Sequence, residues 1–187
     1  MANADKAFGL KPLGNLSATG GQKQFGYVIE AESDPIYQGD LVTVYDGYLV
    51  QFDPATHTAA VGVFNGCNYV NPTTGKPTWS NNWQGLSVDA QADVLDDPSQ
   101  LFIVQSAGTV AQADIGMNAD VVVGTGNDVT GVSGMEISGT MEKTAALNLK
   151  IVGLYNVPGN SFGANAVVVV KINEHLYGSA GVAGQGA

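Results

Sequence analysis

The dipeptide Asp46-Gly47 restricts the fold of this chain more than any other feature of its sequence. It separates two runs rich in β-branched and aromatic residues, Leu41 to Tyr45 and Tyr48 to Phe52. A two-residue type I′ turn needs positive φ at both central residues, and Asp-Gly meets that need at low energetic cost. We therefore predict a tight β-hairpin that joins two antiparallel strands.

The remaining sequence also has the periodicity of strands. Apolar and polar residues alternate from Phe25 to Ala31 and from Leu86 to Val94, as in a strand with one face in water. Helical periodicity is almost absent, although Thr140 to Ala146 favours one helical turn. The pattern predicts an all-β protein, an antiparallel barrel or sandwich with a jelly-roll-like arrangement. Further predicted strands are Leu101 to Gln105, Met135 to Ser138, Leu149 to Tyr155 and Ala166 to Asn173.

The 187 residues suit one domain with two terminal extensions. We expect an extended arm at 1–24, a single β domain at 25–177, and a flexible Gly/Ala tail at 178–187. Three apolar residues of the arm, Phe8, Leu10 and Leu13, would be costly to leave in water. The arm therefore either frays or docks on a neighbouring chain, and these three residues are candidate contacts with such a chain.

One segment changes character along its length. Ala59 to Phe64 has no polar residue, which suits a strand covered on both faces. The turn-rich stretch Asn71 to Pro77 follows, and Trp79 and Trp83 then appear four residues apart. Each tryptophan fits either a core beneath a long loop or the centre of an interface. Together with Tyr69, both are candidate contact residues.

Composition argues against several kinds of partner. The formal net charge is −10, and all seven basic residues are lysines. Nucleic acid and anionic membranes are both disfavoured, because both are recognised through basic patches. Only 13% of residues are charged, so either some surface is covered in use or the surface is smooth and neutral. No apolar run is long enough for a signal peptide or a membrane span, so we expect folding in the cytoplasm.

The residues that usually carry chemistry are scattered. The single cysteine, Cys67, excludes an internal disulfide and a multi-cysteine zinc site, and is most simply a small buried residue. Glu174-His175 has no recognisable nucleophile and is interpreted as a surface pair at a strand end. Asp89, Asp93 and neighbouring aspartates lack the spacing of a calcium loop. We predict no catalytic, cofactor-binding or metal site, and therefore no enzyme.

Several segments together resemble the head decoration proteins of tailed bacteriophages. These are ANADKAFGL at the start, IYQGDLV (36–42), VGVFNGCNY (61–69) with PTWSNNW, DDPSQLFIVQ (96–105), LKIVGLY and GANAVVVVKINEH (163–175). The resemblance implies a structural virion protein on the capsid exterior, commonly a homotrimer, that staples major capsid proteins and is assembled in the host cytoplasm. It implies no active-site residues. Under this resemblance the candidate capsid or subunit contacts are Phe8, Leu10, Leu13, Tyr69, Trp79 and Trp83.

A second hypothesis remains open beside the resemblance. In this hypothesis the chain is a carbohydrate-binding β module, either free or displayed on a virion, that uses Trp79, Trp83 and Tyr69 as stacking platforms. A concentration-dependent trimer favours the decoration protein, whereas a monomer that binds glycans favours the module.

Overall fold

The computed structural model describes residues 3–16 and 23–178. Within these ranges every regular element is a β-strand, apart from one 3₁₀ turn at Gln112–Asp114. The predicted all-β antiparallel fold is confirmed. The predicted tail from residue 179 onward and residues 17–22 of the predicted arm lie outside the described residues. The strands are β1 (Lys11–Asn15), β2 (Lys23–Ile29), β3 (Ile36–Tyr37), β4 (Leu41–Tyr45), β5 (Tyr48–Gln51), β6 (Gly62–Val70), β7 (Pro77–Ser80), β8 (Asn82–Trp83), β9 (Ala90–Leu95), β10 (Gln100–Gln105), β11 (Thr109–Val110), β12 (Asn118–Val122), β13 (Glu136–Glu142), β14 (Leu149–Leu154), β15 (Gly163–Ala164) and β16 (Val167–Ile172).

Two large sheets form the body. The first has the strand order β1-β10-β16-β14-β12-β13, and the second has the order β2-β9-β6-β4-β5, with β7 added to β6. Both sheets curl. In the second sheet β2 comes beside β5, and in the first the Ala107 N–H donates to the Ile137 carbonyl at 2.9 Å, which brings β13 to the end of β10. The result is two barrel-like halves, and the short pairs β3-β8 and β11-β15 complete the fold.

Each half has its own apolar core, and β4 and β6 separate the two cores. Leu41 and Val63 pack into the core of the first sheet, whereas Val42 and Phe64 pack into that of the second. Adjacent side chains of a strand point to opposite faces, so one apolar run contributes to both cores. This confirms the prediction that the run ending at Phe64 is covered on both faces.

The predicted Asp46-Gly47 hairpin is also confirmed. Asp46 has φ 49° and Gly47 has φ 89°, the positive values that a type I′ turn requires. Tyr45 pairs with Tyr48 across the turn, and the ladder continues to Val42 and Gln51.

The predicted helical turn near Thr140 is wrong. Strand β13 continues to Glu142, and Met141 pairs with Ala119 of β12. Met141 also packs against the first core. The ladder and this burial outweigh a weak local preference for helix, because propensities are easily overridden by tertiary contacts.

The N-terminal arm is corrected as well, because residues 3–16 dock on their own chain. Strand β1 pairs with β10 at the edge of the first sheet. Leu10 is 1% exposed, lies in the first core, and donates its N–H to the Gly39 carbonyl at 2.8 Å. Nearer the terminus, the Asn3 amide donates to the Ser161 carbonyl at 2.9 Å. The boundary at 24 also moves, since β2 begins at Lys23.

Candidate contact surfaces

Strands β6 and β7 form a hairpin that extends beyond the ladder between β6 and β4. Its loop is held by Asn71, whose side-chain oxygen accepts the N–H groups of Thr73 at 2.9 Å and Thr74 at 3.0 Å. The Gly75 N–H donates to the Asn71 carbonyl at 2.8 Å, and Gly75 has φ 68°. The turn-rich stretch predicted from sequence is therefore an ordered loop that fixes the hairpin.

The two tryptophans have different environments. Trp83 is 0% exposed in the second core, where its indole N–H donates to the Ser33 hydroxyl at 3.0 Å. The Tyr69 ring meets it edge to face, with 5.8 Å between ring centroids. Trp79 is 55% exposed. Trp83 is therefore core, which removes it from the candidate contacts, while Trp79 remains a candidate.

The pairing of β6 with β7 explains why Trp79 lies outside. Trp79 pairs with Asn68, and both belong to the face of the hairpin that points away from the core. Its ring covers Gly66, where a Cβ would come within 2.7 Å of the ring. Val70 is 54% exposed and pairs with the exposed Pro77. We call Asn68, Val70, Pro77 and Trp79 the hairpin surface.

A second exposed surface covers the outer side of the first sheet. In β16 the even-numbered valines point into the core, while Val167 and Val169 point outward and are half-buried. Val169 pairs with Ile103, and Lys171 pairs with both Leu101 and Lys150. We call this surface the sheet face. It comprises Leu101, Ile103, Val152, Val167 and Val169 with the lysines Lys11, Lys150 and Lys171.

A cleft lined with carboxylates lies on the second sheet. Glu32, Asp34 and Asp53 are all exposed along it, and Tyr45 and His57 form part of its wall. The Asp53 N–H donates to His57 Nδ1 at 3.1 Å, and the His57 ring packs against Tyr45 at 5.8 Å between centroids. We call this the acidic cleft. Its acids come from separate turns of the chain, so no local sequence pattern predicts it.

Two of the N-terminal candidates remain accessible. Phe8 is half-buried, with the Lys11 ammonium 4.8 Å from its ring centroid. Leu13 is 46% exposed on the edge strand β1. Leu10, being internal, is withdrawn as a candidate contact. Tyr69 is half-buried against Trp83 and lines the groove beside Trp79.

Burial shifts the pKa values of three titratable side chains inside the fold, Cys67, Asp40 and His175. Burial raises the pKa of the Cys67 thiol to about 12. Burial also raises the pKa of Asp40, although hydrogen bonds from Ser133, the Tyr37 N–H and Gln51 act in the opposite direction. His175 is 6% exposed, and burial lowers its pKa. The interpretation of Glu174-His175 as a surface pair is therefore wrong for the histidine, which bridges to Ala60 inside the fold.

Across residues 3–16 and 23–178, no three His, Cys, Asp or Glu side chains come together as metal ligands would. In the same part of the chain, no helix is long and apolar enough to cross a membrane. No protein-family model matches the sequence, and neither a curated protein nor a solved structure matches it.

Proposed function

We propose that this chain is a structural virion protein, a capsid decoration or cement protein. It binds the outer surface of an icosahedral phage head and holds neighbouring major capsid proteins together. The observation that carries the proposal is the hairpin surface, where Trp79 is 55% exposed beside Val70 and Pro77. Large rigid aromatic residues within an apolar surface commonly dominate the binding energy of protein contacts.

The composition and the sequence resemblance support the same proposal. A net charge of −10 without arginine disfavours DNA as the ligand and suits a protein that acts on the outside of a shell. The partners we propose are the major capsid protein and further copies of this chain, as a trimer, with neither nucleic acid nor membrane. The site of action is the capsid exterior, after assembly in the host cytoplasm.

Stabilisation of the shell would follow from linkage. A ligand stabilises whichever state it binds more tightly, so a protein that spans two capsid subunits favours their assembled arrangement. Several hairpin surfaces on one oligomer would act together, which turns modest single contacts into firm attachment. The N-terminal arm was expected to provide reach, but residues 3–16 are tied to their own chain. The hairpin surface takes that role.

The carbohydrate-binding alternative is weakened by the burial of one ring. Its stacking platform needs Trp79, Trp83 and Tyr69 together, but Trp83 is 0% exposed. Tyr69 packs against Trp83 and is half-buried. Trp79 is left as the only fully presented platform among the three.

The test compares variants added to undecorated phage heads. We expect Trp79→Ala to lose most of the binding and of the protection against heat that the unchanged protein gives. Leu176→Ala is the matched control, since Leu176 is 44% exposed away from the hairpin. Equal protection by both variants would remove the hairpin surface from the account. If the unchanged protein binds glycans and no heads, the carbohydrate module is the better assignment.

A further inference from the structure

The sheet face is apolar where a sheet in water is normally polar. An antiparallel strand with one solvated face alternates apolar and polar residues. Strand β16 instead has valines on both faces, and only the inner ones pack into a core. The outward Val169 lies beside Ile103 of β10, and Val152 of the neighbouring strand is 39% exposed. Covering this surface would gain about 25 cal/mol for each Å² of apolar area buried.

Three lysines lie on this face, although the whole protein is strongly acidic, and Asp120 and Glu142 lie on the same side of the sheet on the adjoining strands β12 and β13. Lys150 and Lys171 are direct cross-strand partners, an arrangement of like charges that destabilises a sheet. Burial, followed by the charge of Lys171, lowers the pKa of Lys150. Lys11 pairs with Ile103 at the edge of the face, and its ammonium lies 4.8 Å from the Phe8 ring centroid. The Lys150 ammonium also donates to the Gly116 carbonyl at 3.3 Å. An anionic surface laid over the valines would add favourable contacts with Lys171.

A second copy of the chain carries a surface of matching charge. Glu32, Asp34 and Asp53 line the acidic cleft and are exposed. The cleft also offers the Tyr45 ring, which is 59% exposed and can pack on aliphatic side chains. Its volume of about 510 Å³ leaves room for side chains of a partner.

We propose that the sheet face of one copy docks on the acidic cleft of another copy. The two surfaces belong to different sheets, so the contact is heterologous: the first copy keeps a free cleft, and the second keeps a free sheet face. Such contacts close into a ring when the rotation between copies permits it. Complementary charge fixes the register and speeds the encounter, while the valines and Tyr45 supply the apolar area.

This inference rests on the proposed function in one respect, because a trimeric cement protein needs a contact between its own copies. It concerns the free protein in solution, however. Loss of self-association and loss of attachment to heads can therefore be measured separately.

The experiment is sedimentation velocity on the full chain over a concentration series, with charge reversals on each surface. We expect the unchanged protein to associate, and Lys171→Glu or Asp34→Lys alone to weaken association more than about tenfold, because like charges then face each other. The double variant should recover most of the association, since the pair is restored with reversed sign. In Lys171→Glu the new carboxylate faces Lys150, so the fold should hold, which thermal melts will check.

A control separates this contact from a general effect of charge. Lys76→Glu changes the exposed hairpin loop, and it should leave association within about twofold of the unchanged protein. Association of the unchanged protein should also weaken as NaCl rises from about 0.05 to 0.5 M, because salt screens exposed charges. An unchanged protein that stays monomeric, or single reversals without effect, would overturn the inference. A double variant no better than the single ones would overturn the pairing of face with cleft.

Discussion

The apolar run that enters β6 and the apolar strand β16 have different surroundings. The run that leads into β6 and the run that forms β16 are both almost wholly apolar. In β6, Val63 packs into one core and Phe64 into the other, so the chain covers both faces itself. In β16 the core covers Val168 and Val170, whereas Val169 stays half-exposed. A wholly apolar strand therefore predicts that both of its faces are buried. It does not show whether the same chain or another molecule buries them.

The largest expected effect compares the two strands directly. Val63→Asp would place a charge inside the first core, and we expect it to lower the free energy of unfolding by at least about 3 kcal/mol or to prevent folding. Val169→Asp places the same charge on the outer sheet face, and should cost less than about 1 kcal/mol. Urea unfolding followed by fluorescence measures both. Equal losses would mean that the two strands are equally enclosed.

The two tryptophans repeat this comparison within one hairpin and its continuation. Trp83→Ala removes a ring that is 0% exposed, and should cost about 3 to 5 kcal/mol through the lost contacts and the cavity. Trp79→Ala removes a ring that is 55% exposed, and should cost about 1 kcal/mol or less. Midpoints of urea unfolding provide the measurement. A larger loss for Trp79→Ala would contradict the assignment of core and surface.

The buried carboxyl of Asp40, next to β4, should make the stability of the protein depend on pH. Its carbonyl accepts the Phe64 N–H at 2.9 Å, its carboxyl accepts the Tyr37 N–H at 2.8 Å, and burial raises the carboxyl's pKa. The folded state thus holds this proton more tightly than the unfolded chain, so the stabilisation is complete below about pH 4. It is lost as the pH rises through the raised pKa of the folded state.

Asp40→Asn should remove that part of the pH dependence. As the pH rises from about 4, the unchanged protein should lose up to about 1.4 kcal/mol of unfolding free energy per pH unit relative to the variant, which has no carboxyl group to ionise at this position. Other acids whose pKa is raised, such as the partly buried Asp120 and Glu136, are present in both proteins and cancel in the difference. Urea unfolding at a series of pH values measures it. Parallel curves would show that Asp40 titrates normally.

The smallest expected effect is the low reactivity of the Cys67 thiol on β6. Its thiol is 0% exposed, and burial raises its pKa to about 12. We expect negligible reaction with a disulfide reagent at pH 8 while the protein is folded, and full reaction in urea, because the thiolate is the nucleophile. Rapid labelling of the native protein would show that β6 opens far more readily than a strand between two cores should.

Local rules predicted much of this fold. The Asp46-Gly47 turn and most strands follow from backbone preferences and a period of two, which depend only on neighbouring residues. The arm could not be predicted in the same way, because Leu10 finds its place in the core through Gly39, far along the chain. Likewise, the different exposures of Trp79 and Trp83 depend on pairings with β6 and β3 that no local pattern encodes.

The same limit applies to the candidate surfaces. Trp79 was singled out from sequence as a large aromatic residue among turn residues, and the structure places it on the outside. The sheet face was not found, because Lys11, Ile103, Lys150 and Val169 come from four strands that only the sheet brings together. Their charge and apolarity become visible only when the register is known.

The central claim is that the outer face of β16 is covered by another molecule of this protein. Sedimentation velocity of Val169→Asp beside the unchanged protein, at matched concentrations, tests it most directly. The account predicts a variant that unfolds in urea much like the unchanged protein yet sediments as a monomer, while the unchanged protein sediments as a larger species. A folded variant that associates as fully as the unchanged protein would contradict the claim.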